Sequence, residues 1–322
     1  MRASTPYYWH WLRLLSLAIA LSIAGIAYWP QWLWLEWLKL LLLYGPAWWC
    51  FGLLIPWVIG WRSVGLWQFL MLAPVLIICL KLLDFSWPSQ NTKHPANLIT
   101  LSANLGNMSD AESLARLLEQ HNVSIALFQE AKPEKLKALP IKSWQKHCEA
   151  GLCIASKLPF EIEMAVSRNI FQGYGNFAQF YRISLADNSF LIANVHFETP
   201  RSALESVLKL GPNSAAMRIL QQDRALQATI ISEWAQAETL PFIIAGDFNM
   251  PVLSPIYQQY FSMLGNALSE KSQHVVKYTK FTRWHGIRID HQLYRGALSP
   301  LSAEVLNLPG ADHRPVLVRW SN

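Results

Sequence analysis

Hydrophobic and polar positions divide the chain into two parts. In the first part the apolar residues run on without interruption. Leu14–Trp29 ("LLSLAIALSIAGIAYW"), Leu40–Trp61 ("LLLLYGPAWWCFGLLIPWVIGW") and Gly65–Leu80 ("GLWQFLMLAPVLIICL") carry no charge. Each nears or reaches the ~20 residues that cross a bilayer. Tryptophans crowd the run ends, as they do at membrane interfaces. The pattern predicts a bundle of about three transmembrane helices within residues 1–84. A cleaved signal peptide fits poorly, because two further apolar runs follow the first. Phe85–Ala96, "FSWPSQNTKHPA", has two prolines among polar residues and reads as a linker.

From residue 97 to 322 short apolar runs alternate with amphipathic stretches, which predicts one mixed α/β domain. Asn97–Leu105, Val123–Ala131, Ala178–Leu185, Phe190–Glu198 and the run Phe242–Ala245 read as strands. So do "KYTKFTRW", "RIDHQLYRG" and "HRPVLVRW" nearer the C-terminus. Ser109–Asn122 and Ser214–Ala237 read as helices. Ser109 is placed to cap the first, with Glu112 three residues on as a capping box. Hairpin-like strand pairs argue for a sandwich over an all-parallel sheet.

Charge refines this picture. Charged residues make up 15% of the 322, against about 25% in an ordinary globular chain. The shortfall lies in the first part, with five basic and two acidic residues over 1–87. The net charge of +6 is shared equally between the two parts, which argues against a strongly basic nucleic-acid surface. Arg2, Arg13 and Arg62 place the N-terminus and the loop around Arg62 on the cytoplasmic side, although Lys81 argues weakly the other way. The domain at 97–322 is then expected outside the cytoplasm. Cys148 and Cys153 flank "EAGL" in a strand–turn–strand pattern, so a disulfide is expected, as suits an oxidising compartment. Cys50 and Cys79 lie inside apolar runs and read as small apolar residues.

Candidate chemistry collects where the strands end. Asn104, Gln129 with Glu130, Asn194 with His196, Asp247 with Asn249, and Asp290 with His291 each follow an apolar run. Asp312 and His313 precede the last strand. Residues two apart on an extended backbone point to one side. Taken alone, each is most simply a turn residue or a structural hydrogen-bonder. Together they pair oxygen ligands suited to a hard cation such as Mg²⁺ with histidines suited to proton transfer. That combination predicts metal-assisted attack of water on a phosphate ester.

The ordered motifs "SANLGN", "LFQEA", "IASKLPF", "ANVHFE", "AGDFN", "RIDHQLY" and "GADHRPV" resemble the endonuclease/exonuclease/phosphatase superfamily, the deoxyribonuclease I-like fold. The resemblance covers about residues 97–320, and the N-terminal runs look like those of membrane-anchored bacterial members. It implies a four-layer α/β/β/α sandwich. It implies Glu130, Asn104 and Asp312 at a Mg²⁺ or Mn²⁺ site, and Asp247 orienting or deprotonating the attacking water. Asn249 would hold the phosphate, and His196 would serve as an acid or phosphate clamp. His313, oriented by Asp290, would polarise the phosphate or act as base. Arg224 and Lys157 also fit recurring family positions and are read as structural. The expected protein is thus a multi-pass inner-membrane phosphoesterase with a periplasmic catalytic domain. Its substrate would be a phosphodiester in nucleic acid or in a phospholipid head group. A non-catalytic, membrane-tethered binding module that keeps the fold is the alternative. A transporter is disfavoured, because the three runs lack paired ionisable residues at their centres.

Overall fold

The computed structural model describes residues 8–89, 96–106, 110–141, 143–185, 188–209, 211–282 and 284–321. Two six-stranded sheets carry the domain. The strands are β1 (Leu98–Asn104), β2 (Ile125–Gln129), β3 (Gln145–Glu149), β4 (Leu152–Ser156), β5 (Phe160–Ser167), β6 (Asn176–Leu185), β7 (Asn188–His196), β8 (Phe242–Asp247), β9 (Gly265–Asn266), β10 (Lys280–Phe281), β11 (Gly286–Ile287), β12 (Asp290–Arg295), β13 (Ser299–Val305) and β14 (Val316–Ser321). One sheet runs β13-β14-β1-β2-β4-β3 and the other β5-β6-β7-β8-β12-β9, while β10 and β11 form a small ribbon. β1 pairs with β2 in parallel, and so does β7 with β8.

Helices α1 (Tyr8–Ala24), α2 (Leu33–Tyr44), α3 (Ile55–Ile59) and α4 (Leu66–Leu82) precede the sheets. Between and after the strands come α5 (Ala111–Gln120), α6 (Pro133–Ala138), α7 (Arg201–Leu208), α8 (Ser214–Ala237), α9 (Pro255–Tyr260) and α10 (Ala267–Lys271).

Strand alternation explains the layering. On β1, Leu101 and Ala103 turn outward onto α5 and α6, with Leu114, Leu118 and Leu136. Leu98 turns inward, and with Ile125, Leu127, Ile154, Ile192, Ile243 and Trp320 it fills the space between the sheets. The outer face of the second sheet packs Ala193, Val195, Phe242 and Ile244 on α8 and α9. The order helix, sheet, sheet, helix matches the expected four layers. Between the sheets the apolar core gives way to polar pairs. Thr100 donates to Gln292 at 2.6 Å and accepts from Trp320 Nε1 at 2.8 Å. Gln129 donates to Asn194 at 2.7 Å. Two of the strand-end residues thus clamp the sheets together.

Helix α5 begins on Asp110, whose carboxylate accepts from the backbone N–H of Glu112 and Ser113. The cap expected at Ser109 lies outside the described residues. Cys148 and Cys153 face one another across the β3–β4 hairpin and are joined as a disulfide, while Cys50 and Cys79 stay free and buried.

The N-terminal part departs from the expected three straight spans. Among the described residues no single helix is long and apolar enough to cross a membrane. The run 40–61 is not one helix. Its first residues finish α2, Gly45–Pro46 breaks the chain, and Ala47–Leu54 winds as a 3₁₀ helix into α3. Leu33–Tyr44 and Ala47–Ile59 together have the length and composition of a span but are bent by 98°. Proline explains the break, since it lacks a backbone donor and pushes the preceding residue out of helical geometry. α1, the 3₁₀–α3 segment and α4 pack around Ala20, Cys50, Trp57, Val75 and Cys79. Arg13 is buried at the far end, where Gln68 and Ser63 side chains and the Gly60 carbonyl accept from its guanidinium.

α2 lies apart from that bundle, against the sheet domain. Leu40 packs with Ala203, Met217 and Leu220. At the end of α4, Asp84 pairs with Arg288 at 2.7 Å and with Lys277 at 3.5 Å, both partners being buried. The described start of the expected linker is also fixed. Phe85 bridges Val276, and the N–H groups of Ser86 and Ser89 donate to the carbonyls of Val275 and Ser272.

Candidate active site

The two parallel pairs bring their C-terminal ends together, and there the polar residues meet. In register, His196 on β7 lies beside Asp247 on β8, and Asp247 faces Asp290 on β12. Gly246 makes the close approach possible. A Cβ there would stand 1.9 Å from the Val195 carbonyl oxygen, at a φ of +149°. Glu130 and Asn249 sit just past their strands in the left-handed region, at φ of 51° and 50°. Non-glycine residues adopt it at a cost of roughly 1 kcal/mol or more, which is typical of sites where side-chain direction matters.

Asp247 is buried and held at both oxygens. Asn249 N–H donates to Oδ1 at 2.8 Å and Asn104 Nδ2 to Oδ2 at 3.0 Å. Asn104 Nδ2 also reaches Glu130 at 3.0 Å. His196 Nε2 lies 3.6 Å from Glu130 and 3.8 Å from Asp247. His313 Nε2 is 3.7 Å from Asp247, and its Nδ1 is 3.0 Å from Asp290. Asn249 turns its amide to the Phe197 carbonyl, 2.9 Å away. All eight residues expected at the site therefore lie at this end of the sheets. His291 does not join them. It is fully buried and bonds the Met250 carbonyl at 2.9 Å.

Asn104, Glu130 and Asp312 converge on Gly106. A methyl group built there would be 3.2 Å from Asp312 Oδ1, 3.6 Å from Glu130 Oε2 and 3.7 Å from Asn104 Oδ1. Two carboxylates and one amide oxygen around a glycine form a donor set that fits a small hard cation. Asp247, Asp290 and His313 also offer ligand atoms within 4.8 Å of one another. That second group spends its histidine Nδ1 on Asp290, while in the oxygen set Asn104 Oδ1 accepts from the Gly106 N–H and Asp312 from Lys280.

Burial and charge separate the two histidines. Burial drives the His196 pKa down to about 4, with Asp247 opposing and Arg168, His313 and Lys280 assisting. His196 is therefore neutral near pH 7. Burial also opposes a charged His313, but Asp290 and Asp247 outweigh it and hold its pKa up, at about 9. Burial and the neighbouring Asp290 raise that of Asp247.

Three residues at the site were not anticipated. Lys280 Nζ stands 2.7 Å from both His313 Nε2 and Asp312. A charged lysine can donate to that imidazole only when the ring is neutral, whereas the two aspartates favour a charged ring. Lys280 and a protonated Nε2 therefore compete for one position. Arg168 pairs with Glu198 at 2.7 Å and donates to the carbonyl of His196, bracing that strand end. Tyr44 comes from α2. Its hydroxyl donates to the Asn249 carbonyl at 2.7 Å and accepts from Arg224 at 2.6 Å. Nothing in the sequence distinguishes Lys280 from its neighbours in "KYTKFTRW", or Tyr44 within an apolar run. Arg224 is buried and structural, as expected. Lys157 bonds Asn122 and lies over the Trp144 ring, away from the site.

The Endonuclease/Exonuclease/phosphatase family matches residues 101–313, well over half of the chain. No curated protein sequence matches. Among solved structures, D. rerio TDP2, humanized by 14 mutations, is similar at 16% identity and a TM-score of 0.56. That match covers 70% of this chain and 99% of the other. Truncated Caenorhabditis elegans TDP2 is similar at 15% identity and a TM-score of 0.52, covering 70% and 98%. An endonuclease/exonuclease/phosphatase family protein from Bacteroides thetaiotaomicron is similar at 18% identity and 0.51, again covering 70% and 98%. At these identities the likeness is one of fold.

Proposed function

Because the chain belongs to the Endonuclease/Exonuclease/phosphatase family, whose members hydrolyse phosphoester bonds, we propose that it is a membrane-anchored, metal-dependent phosphoesterase acting on a phosphodiester of nucleic acid or of a phospholipid head group. The observation that carries this reading is the meeting of an oxygen cradle, Asn104, Glu130 and Asp312, with a buried carboxylate between two histidines, Asp247 between His196 and His313. Glu130, Asp247 and both histidines line one cavity of about 420 Å³.

The cradle would hold Mg²⁺ or Mn²⁺, which supplies positive charge to a phosphoryl oxygen as negative charge develops there. Asp247, fixed by Asn104 and the Asn249 N–H, orients an attacking water and accepts its proton; its raised pKa suits that task. Neutral His196 offers one ring nitrogen to a phosphate oxygen or to the water. His313 donates from Nε2 to a phosphoryl oxygen while Asp290 holds Nδ1, the arrangement that fixes a ring and favours its cation. Lys280 then leaves Nε2 for the substrate's negative charge.

Membrane anchoring is supported by the surface of the N-terminal bundle. Leu15, Ile19, Phe51, Val58, Leu70 and Ile77 are all exposed there, apolar surface that water does not favour. Arg13 and Arg62 at its far end favour a cytoplasmic location for that end and an extracytoplasmic one for the catalytic domain. The Cys148–Cys153 disulfide agrees with an oxidising compartment.

The test uses the full chain in detergent with bis-p-nitrophenyl phosphate. Release is expected with Mg²⁺, and none with a chelator. His313→Ala should lower kcat by about 100-fold or more, the size seen for lost transition-state donors. Activity that survives both chelation and His313→Ala would refute the reading.

A further inference from the structure

The cavity is larger and less polar than a phosphoryl group requires. Its volume, about 420 Å³, is in the range of sites that enclose a whole small ligand, roughly 300–1,000 Å³. One wall carries the polar groups described above. The other is built from Tyr44, Phe197, Pro200, Leu204 and Ile287. Tyr44 lies outside the matched family domain, which starts at residue 101. It is placed there by several bonds. Besides its hydroxyl contacts, its carbonyl meets His285 Nε2 at 2.8 Å. With Leu204 it packs against the Leu40, Ala203 and Met217 cluster that docks α2 on the domain. Of the cations that line the cavity, Arg168 is matched by Glu198 and Lys280 by Asp312, while the exposed Arg201 stands one turn before Leu204 on α7. Tyr174, another lining residue, is 94% exposed.

We propose that Tyr44, Leu204 and Ile287 form a subsite for an apolar group on the substrate, so that the preferred substrate is a phosphoester with a hydrocarbon chain and α2 is part of the active site. This rests on the phosphoesterase reading above. A chain lying on these side chains leaves water as the phosphoryl group reaches the polar wall, and its burial holds the ester in place for attack. The same chemistry is offered by a lipid in a bilayer and by a soluble amphiphile.

The test compares p-nitrophenyl esters of methyl and hexyl phosphate, using the full chain in detergent with Mg²⁺. The hexyl ester should have a kcat/KM higher by about tenfold or more, from the added methylenes it buries. Leu204→Gln and Tyr44→Ala should bring the ratio of the two esters close to one. Tyr44→Phe, which keeps the ring, should retain the preference and control for folding. A hexadecyl ester in phosphatidylcholine vesicles separates the sources: faster turnover there than of the hexyl ester in solution supports a membrane lipid. Equal turnover of methyl and hexyl esters by the wild type overturns the subsite, as does a preference unchanged in Leu204→Gln. Faster cleavage of a DNA oligonucleotide than of the hexyl ester overturns it in favour of nucleic acid. No cleavage of either ester or of bis-p-nitrophenyl phosphate removes the phosphoesterase reading itself, and the subsite with it.

Discussion

Asp247 and its two histidines set how the site responds to acidity. His196 takes a proton only near pH 4, whereas an unfolded histidine does so near 6.5. Its depressed pKa therefore takes stability away as the pH falls from about 6.5 to 4. His313 works the other way. Its raised pKa contributes stability that is complete below about 6.5 and is lost as the pH rises through about 9. Histidine NMR of the metal-free protein should show one ring that titrates near 4 and another near 9. Because Lys280 lowers the His313 value, Lys280→Met should move the upper titration further up. An unmoved or lower midpoint would exclude Lys280 as the competing charge. The roles of the carboxylates follow from similar detail. Gly106→Ala should strain a backbone held at a φ of +32° and place a methyl within 3.7 Å of three oxygens, and so weaken Mg²⁺ binding measured by calorimetry.

At the scale of elements, the β3–β4 hairpin supports the proposed cation cradle. Its tip residue Gly151 accepts from the N–H of Ala131, next to Glu130, and Ala150 accepts from Asn176. Opening the disulfide below it, with Cys148→Ser and Cys153→Ser together, should cost about 2 kcal/mol in chemical denaturation and lower metal affinity as Glu130 loosens. The same hairpin shows what the sequence makes legible. Cys148, "EAGL" and Cys153 announce a turn, and the apolar runs before Asn104, His196 and Asp247 announce strands, because burial on both faces leaves unbroken hydrophobic stretches. β5 is not legible. It lies at a sheet edge, and "FEIEMAVS" is mostly exposed, so no buried face writes a pattern into it. "KYTKFTRW" suggests a full strand, but among the described residues its strand is just Lys280–Phe281, where the ribbon turns back. Eight site residues could be found because each stands at or beside the end of an apolar strand pattern. Lys280 and Tyr44 could not, since only tertiary packing carries them there. Gly246→Ala should be severe for the same packing reason. Its clash is with backbone, so a loss of roughly 3 kcal/mol or more is expected in denaturant melts.

Over the whole molecule, the N-terminal region is less a separate anchor than the sequence implies. The run 40–61 looks like one span, yet proline and glycine divide it between a bundle and a helix laid on the domain. A fragment of residues 88–322 would expose Ala203, Met217 and Leu220, which Leu40 covers. It should therefore melt lower than the domain within the full chain, as Leu40→Asp should in full-length protein, read by thermal unfolding in detergent.

Asp84 lies at the end of α4 and is held by Arg288 and Lys277, while Phe85 and Ser86 are bonded onward to the domain. No slack chain separates the bundle from the sheets at this point. With the bundle in a bilayer, the cavity keeps a fixed height and bearing over the surface, and for a lipid substrate the search has two dimensions. Velocity would then follow the mole fraction of substrate within the sheet of lipid, and diluting the vesicles in buffer would leave it unchanged.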